Sequence, residues 1–365
     1  MVGLLFSGTG LLLGQSSYQP NFTDPLLEAW RWKSYAELEG ASTTCMLEAN
    51  DNTIWFGTET GLIHYDGVNW ASFTPKNNVY GEHFTSMCED KDGVIYAGSY
   101  NGLSKYTNNT WQKVFPFVDA NWPIYNLAVG RDGDIWAGTP FGALRMHNNT
   151  FLLYTTKQMA QGISHLKNKL VIVYVPGAAG WQYNFGETGS GIYAINKRTV
   201  MYVAPNSPAE RAGVLSGDYI SDIKGCPNVH ALGELKGLKE VETAITIKRG
   251  NNSAPPEEYK LKNEKITASF GAFPVHHIHP DRDGNIWFGL WEGNIVKYTP
   301  GKDNLETGPG SAMASNGAAW ELIASTGYMP RTYHASDGSV WIISMKTKTP
   351  VIQIKRRKKT LSPTI

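Results

Sequence analysis

Residues 54–70 read IWFGTETGLIHYDGVNW, and residues 95–111 (IYAGSYNGLSKYTNNTW) and 135–151 (IWAGTPFGALRMHNNTF) align with them without a gap. A further copy opens at Ile286 (IWFGLWEGNIVKYT), and a degenerate one at Val340 (VWIISM). A turn dipeptide precedes each copy: Asp51-Asn52, Asp92-Gly93, Asp132-Gly133, Asp283-Gly284 and Asp337-Gly338. Such pairs tolerate positive φ and close tight hairpins. The IWFG stretch alternates as a buried strand does. A second turn at Gly61, Gly102 or Gly142 leads into the next strand, and an aromatic (Trp70, Trp111 or Phe151) opens an outer one. The first three copies start at 54, 95 and 135, intervals of 41 and 40 residues. Four short strands at a period near 40 residues is the spacing of a propeller blade.

The interval from 135 to 286 is 151 residues, so more than 100 residues are inserted there. The expected fold is therefore mainly β: a β-propeller of five or six blades, or part of a larger one, interrupted by an α+β domain. Its blades are expected at 28–165 and 269–365, with the insert at 166–268 and a leader at 1–27. Residues 28–36 (EAWRWKSYA) read as an outer strand that completes the last blade and removes an exposed sheet edge. The ends of the insert must then lie close together. A short link is expected to replace it at little cost in stability, because loop-closure entropy grows slowly with length.

The composition agrees. Of 365 residues, 41% are hydrophobic and 18% charged, enough apolar content for a real core. The 38 glycines, 12 tryptophans and 18 tyrosines suit short strands joined by tight turns. A net charge of +1 supplies no global pull toward nucleic acid or anionic membrane, so no nucleic-acid partner is expected. Cys45, Cys88 and Cys226 are far apart and indicate neither a disulfide framework nor a zinc site. The apolar run 2–13 (VGLLFSGTGLLL), followed by a polar stretch, resembles a secretory h-region, although no Lys or Arg precedes it. A periplasmic or extracellular location is the expectation, with no integral membrane span.

The repeat resembles the two-component-regulator propeller repeat, D-x-x-G-x-I/L-W-x-G-T-x-x-G-L followed by an aromatic. WFGTETGL at 55–62 matches it best, and Ile343-Ser344 departs from it in the last copy. Residues 200–225 (VMYVAPNSPAERAGVLSGDYISDIKG) resemble the bacterial PDZ signature through Val203, Ser207, Pro208, Ala209, Ala212, Gly213, Gly217, Asp218, Ile220 and Gly225. SPAERAG reads as a short helix capped by Ser207, residues 229–242 as a second helix, and 244–249 with 257–262 as a closing hairpin. The PDZ resemblance implies a peptide or protein C-terminus as partner, its carboxylate held by a Gly-rich loop; Gly189, Ser190, Gly191 and Ile192 are the nearest match. The alternative reading of residues 163–195 is a hidden blade, with the PDZ reading preferred.

His276, His277 and His279 precede the fourth full copy. His277 and His279 share one strand face, and the expectation is that they face the propeller channel or a ligand rather than a metal. No nucleophile elbow, phosphate loop or dinucleotide fingerprint is present, so no cofactor and no enzymatic activity are expected. The leading function is an extracytoplasmic sensing propeller in signal transduction, taking a small molecule or glycan at its face and a partner at the PDZ-like insert. The alternatives are a propeller lyase similar to the streptogramin-type lyases, with His277 or His279 as base, and a non-catalytic scaffold.

Overall fold

The computed structural model describes residues 24, 27–28, 31–77, 79–117, 120–147, 150–163, 170–175, 181–184, 189–195, 199–224, 242–249, 255–266, 269–291, 293–300, 313–314, 320–345 and 351–354. Residues 1–40 form one compact unit and 41–365 another. Among the described residues of the first, the chain makes a 3₁₀ turn at Ala36–Leu38 and no strand at Trp32–Tyr35. The expected outer strand at 28–36 is therefore absent among the described residues. The apolar run 2–13 lies outside them. No described helix is long and apolar enough to cross a membrane.

The second unit opens with three antiparallel four-stranded sheets. The first comprises β1 (Thr43–Glu48), β2 (Ile54–Thr58), β3 (Leu62–Tyr65) and β4 (Trp70–Phe73). The second comprises β5 (Phe84–Glu89), β6 (Ile95–Ser99), β7 (Leu103–Thr107) and β8 (Thr110–Phe115). The third comprises β9 (Asn126–Val129), β10 (Ile135–Thr139), β11 (Gly142–His147) and β12 (Thr150–Thr155). Helix α1 (Lys157–Gly162), unforeseen in the sequence, follows, its N-terminus capped by Thr156. Then β13 (Val171–Tyr174) adds to the third sheet, parallel to β12.

The chain next pairs β14 (Trp181–Asn184) with β20 (Ser269–Ala272) and, between them, builds a separate five-stranded sheet. Its strands, in spatial order, are β15 (Ile192–Ile195), β16 (Thr199–Val203), β17 (Tyr219–Ile223), β18 (Glu242–Lys248) and β19 (Pro256–Lys262). Helix α2 (Pro208–Ala212) forms as the sequence expects: Ser207 accepts from Glu210 N at 3.2 Å, and Gly213 closes it at φ 87°. Apart from Glu242, which opens β18, the expected helix at 229–242 lies outside the described residues. The hidden-blade reading of 163–195 fails, because its strands are shared among three sheets. The expected boundary at 166 also shifts, because β13 hydrogen-bonds to the third sheet.

The repeat resumes with β21 (Val275–Pro280), β22 (Ile286–Leu290), β23 (Asn294–Tyr298), the short β24 (Met313–Ala314), which pairs with β13, and β25 (Trp320–Ser325). The last sheet has three described strands: β26 (Tyr328–His334), β27 (Val340–Met345) and β28 (Val351–Ile354). The inner strands β1, β5, β9, β21 and β26 run side by side in that order, so five blades succeed one another and the interruption falls between the third and fourth. Side-chain hydrogen bonds link the inner strands. Thr44 Oγ1 donates to the Phe84 carbonyl, Thr85 Oγ1 to that of Ile124 at 2.6 Å, and Asn126 Oδ1 accepts from Ile278 N at 2.8 Å.

Alternation along the second strand of each blade builds the cores between blades. Trp55 packs with Ile95 and Ala97, Tyr96 with Ile135 and Ala137, Trp136 with Ile286 and Phe288, and Trp287 with Val340 and Ile342. Each aromatic thus faces the following blade, and the residues on either side of it face the preceding one. A glycine two residues after the aromatic lets the next inner strand approach. A Cβ on Gly98 would lie 2.5 Å from Ile124 Cγ2, and one on Gly138 would lie 2.7 Å from the Val275 carbonyl oxygen.

The five-stranded sheet has its own core of Ile192, Val200, Val203, Val214, Ile220, Ile245 and Ile247. It is also fastened to the blades. Met201, Tyr202 and Ala204 belong to the core between the second and third blades; Asn121 N donates to the Gly217 carbonyl at 2.9 Å, and Ser216 Oγ to that of Gly162 at 3.0 Å.

Candidate functional site

The junction of the fourth and fifth blades holds an open cleft of about 220 Å³. Its floor is the hairpin turn that starts β22. Asp281 accepts there from the backbone amides of Asp283 (2.9 Å) and Asn285 (2.8 Å), from Asn285 Nδ2 (2.8 Å) and from Trp287 Nε1 (2.9 Å). These donors outweigh the desolvation of Asp281 and hold its carboxyl below the usual range. The carboxylate is spent on the turn. Trp287 forms one wall, and Lys297, its cross-strand partner, another. Lys297 Nζ lies 2.7 Å from Glu321, whose side chain is exposed. The fifth blade contributes His334, Val340 and Ile354.

The His334 ring meets Trp287 edge-on at 4.8 Å and stacks on His279 at 5.0 Å. His277 Nε2 lies 3.3 Å from the Thr332 carbonyl, a fourth link between successive inner strands. His277 and His279 thus share a face, as strand alternation requires. On that face both rings meet the fifth blade, and neither residue is among those lining the cleft. Burial pushes His277 down to about 4, with His279 and Arg331 adding to the shift against the Thr332 hydrogen bond. It pushes His276 down to about 3, and His276 Nδ1 donates to the Gly289 carbonyl at 2.8 Å. Both are neutral rings near pH 7. Among the described residues no group of three His, Cys, Asp or Glu is placed to hold a metal ion.

The Gly-rich loop sits at one edge of the five-stranded sheet. Gly189 exchanges both backbone hydrogen bonds with Glu264, at 2.9 and 3.1 Å. The Ser190 carbonyl accepts from Ala209 N at 3.0 Å, and that of Gly191 from Ala204 N at 2.8 Å. Gly191 has φ 84° and lies against Ser207, where a side chain would not fit. Ile192 is buried and opens β15, the edge strand. The Gly189 amide is therefore committed within the fold, while β15 pairs on one side only among the described residues.

The sequence singled out the histidines and the glycine loop but not the cleft. The signal was present in the last repeat, where Ile354 stands cross-strand from Val340 in the place that Tyr65, Tyr106 and Tyr298 hold in the first, second and fourth blades.

No protein-family model matches the chain, and no curated protein matches it. Solved structures do. A catalytically inactive variant of virginiamycin B lyase from Staphylococcus aureus with quinupristin is 13% identical, covering 83% of this chain and 78% of that one at TM-score 0.32. The extracellular domain of a one-component system from B. thetaiotaomicron is 17% identical, covering 86% and 53% at TM-score 0.21. PorZ, a surface component of the type-IX secretion system of Porphyromonas gingivalis, is 11% identical, covering 87% and 40% at TM-score 0.32. Likeness this distant transfers no function.

Proposed function

We propose that this chain is an extracytoplasmic binding protein: a sensing propeller whose fourth and fifth blades hold a small ligand, with a PDZ-like module that docks a partner's C-terminus. The cleft carries the reading. It joins an aromatic wall, a cation and a saturated carboxylate turn, the few placed polar groups on an apolar wall that ligand sites use. Because the cleft lies between two blades, a bound ligand would stabilise their junction, which is how a sensor gains an output. The lyase alternative assigns its base to His277 or His279, and neither lines this cleft.

The five-stranded sheet supports the second half. The order strand, capped helix, Ser216-Gly217-Asp218 turn, strand is that of the PDZ signature. β15, which pairs on one side only among the described residues, suits strand addition.

Titration of the purified chain with a panel of small metabolites and saccharides, read by calorimetry, tests the first half. Binding that Asn285→Ala and Lys297→Met both weaken is expected, and a panel without a single ligand would overturn it. A library of peptides with free or amidated C-termini tests the second half. Equal binding of both forms would remove the carboxylate docking.

A further inference from the structure

The repeat lets each junction between blades be compared, position by position, with the cleft. On the face that each blade turns to the one before it, the residue cross-strand from the repeat's leading Ile or Val is Tyr106, Met146, Tyr298 and Ile354 in the second to fifth blades. Tyr106 packs against Trp55 at 4.9 Å and Tyr298 against Trp136 at 5.2 Å. Next to each sits a second buried ring or its equivalent from the fourth strand: Trp111 beside Tyr106, Phe151 beside Met146, Trp320 beside Tyr298. The fifth blade has Ile354, and no fourth strand among its described residues. At the junction where the cleft opens, the described residues thus place Ile354 where Tyr298 stands at the preceding junction.

The receiving side is retained. In the third blade, Arg145 is the cross-strand partner of Trp136; its guanidinium lies 5.2 Å from that ring, and its Nη1 donates to the Tyr298 hydroxyl at 3.0 Å. In the fourth blade, Trp287 and Lys297 take the same two places. Arg145 is also held by Asp132 and Asp134. Lys297 has the exposed Glu321 instead, an ion pair of little strength that a ligand oxygen can replace. The junction keeps the indole and the cation that hold a phenol next door, and lacks the phenol.

We propose that the cleft takes a small aryl ligand bearing a hydroxyl or carboxylate oxygen, its ring in the place that Tyr298 fills at the preceding junction and its oxygen on Lys297 Nζ. The proposal rests on the sensing reading above and names the ligand class of that site. The indole wall favours an aromatic face, and an ammonium whose ion-pair partner Glu321 is exposed favours an anionic or hydroxylic oxygen.

The test is calorimetric titration of the full chain with 4-hydroxybenzoate, p-cresol, cyclohexanecarboxylate and a panel of saccharides. Both aryl compounds should bind, with cyclohexanecarboxylate weaker. Ile354→Tyr should refill the place from within and abolish binding, while Ile354→Ala retains it. Lys297→Met should weaken 4-hydroxybenzoate about ten-fold and p-cresol far less, as loss of a charge-assisted hydrogen bond would. This difference between two ligands on one folded variant decides the matter even if Ile354→Tyr does not fold. Aryl binding indifferent to both substitutions would overturn the assignment. Saccharide binding lost in Ile354→Tyr, with no aryl binding, would overturn the ligand class and leave the sensing site standing. No binding by any compound would remove both.

Discussion

Trp55 and Trp136 are 1% and 0% exposed, whereas Trp341, at the same place in the last repeat, is 37% exposed. The residue type is set by the repeat, and its energetic weight by whether another blade covers it. Trp55→Ala and Trp136→Ala should each cost about 3–5 kcal/mol. Trp341→Ala should cost under about 1 kcal/mol, as substitutions away from the core do. Urea midpoints at constant slope would measure all three, and equal losses would mean that Trp341 is covered. The glycine two residues later obeys the same logic. Gly138→Ala would drive a methyl into the backbone of β21 and should cost about 1–3 kcal/mol. The last repeat carries Ile343 there, 54% exposed, where no described inner strand follows.

At the scale of elements, β21 and β26 meet through histidines. His277 and His279 on β21 face Thr332 and His334 on β26, with Asp281 and Arg331 as the charged neighbours. Burial lowers all four histidines of the junction below the ordinary value. A base whose folded pKa is depressed binds its proton better when unfolded, so stability rises with pH across the window between the two values. For His277 the window runs from about 4 to the ordinary value of 6.5. Melting temperature should therefore fall as pH drops from about 6.5 toward 4, and His277→Asn should flatten that slope. A slope unchanged in the variant would show that His277 is not the titrating group. The Arg145 network at the preceding junction gives a contrasting case. Arg145→Met leaves Asp134, 7% exposed, buried with His147 as its remaining partner, and should destabilise by about 3–5 kcal/mol.

For the whole molecule, the decisive feature is the fastening of the five-stranded sheet to the second and third blades. Loop-closure entropy alone would make that segment dispensable. Met201 and Tyr202 lie in the blades' own core, however, so excision uncovers Met159 and Ile163 on the propeller side. Replacing residues 176–268 with a Gly-Ser link should cost about 2–5 kcal/mol, the scale of losing one or two large core side chains. Comparing the melting temperature of that deletion with the full chain checks this. An unchanged value would make the sheet an independent bead, and the shared core would count for nothing.

The blade repeat was legible because local chemistry dictates it. Asp-Gly turns and period-two alternation specify hairpins wherever they occur, and five copies, the first three at intervals of 41 and 40 residues, specify a succession of blades. The short helix at Pro208–Ala212 was legible for the same reason, its cap and closing glycine being local. What the linear pattern left open depends on contacts between distant segments. It did not say that β13 joins the third blade, that the strand Ile192–Ile195 belongs to the five-stranded sheet, or that His277 and His279 turn to the fifth blade. The cleft is the plainest case. An isoleucine at 354 is ordinary in a single strand, and leaves a gap only when the blade beside it presents Trp287 and Lys297 to it. Burial is a property of what packs opposite, and only the tertiary structure decides that.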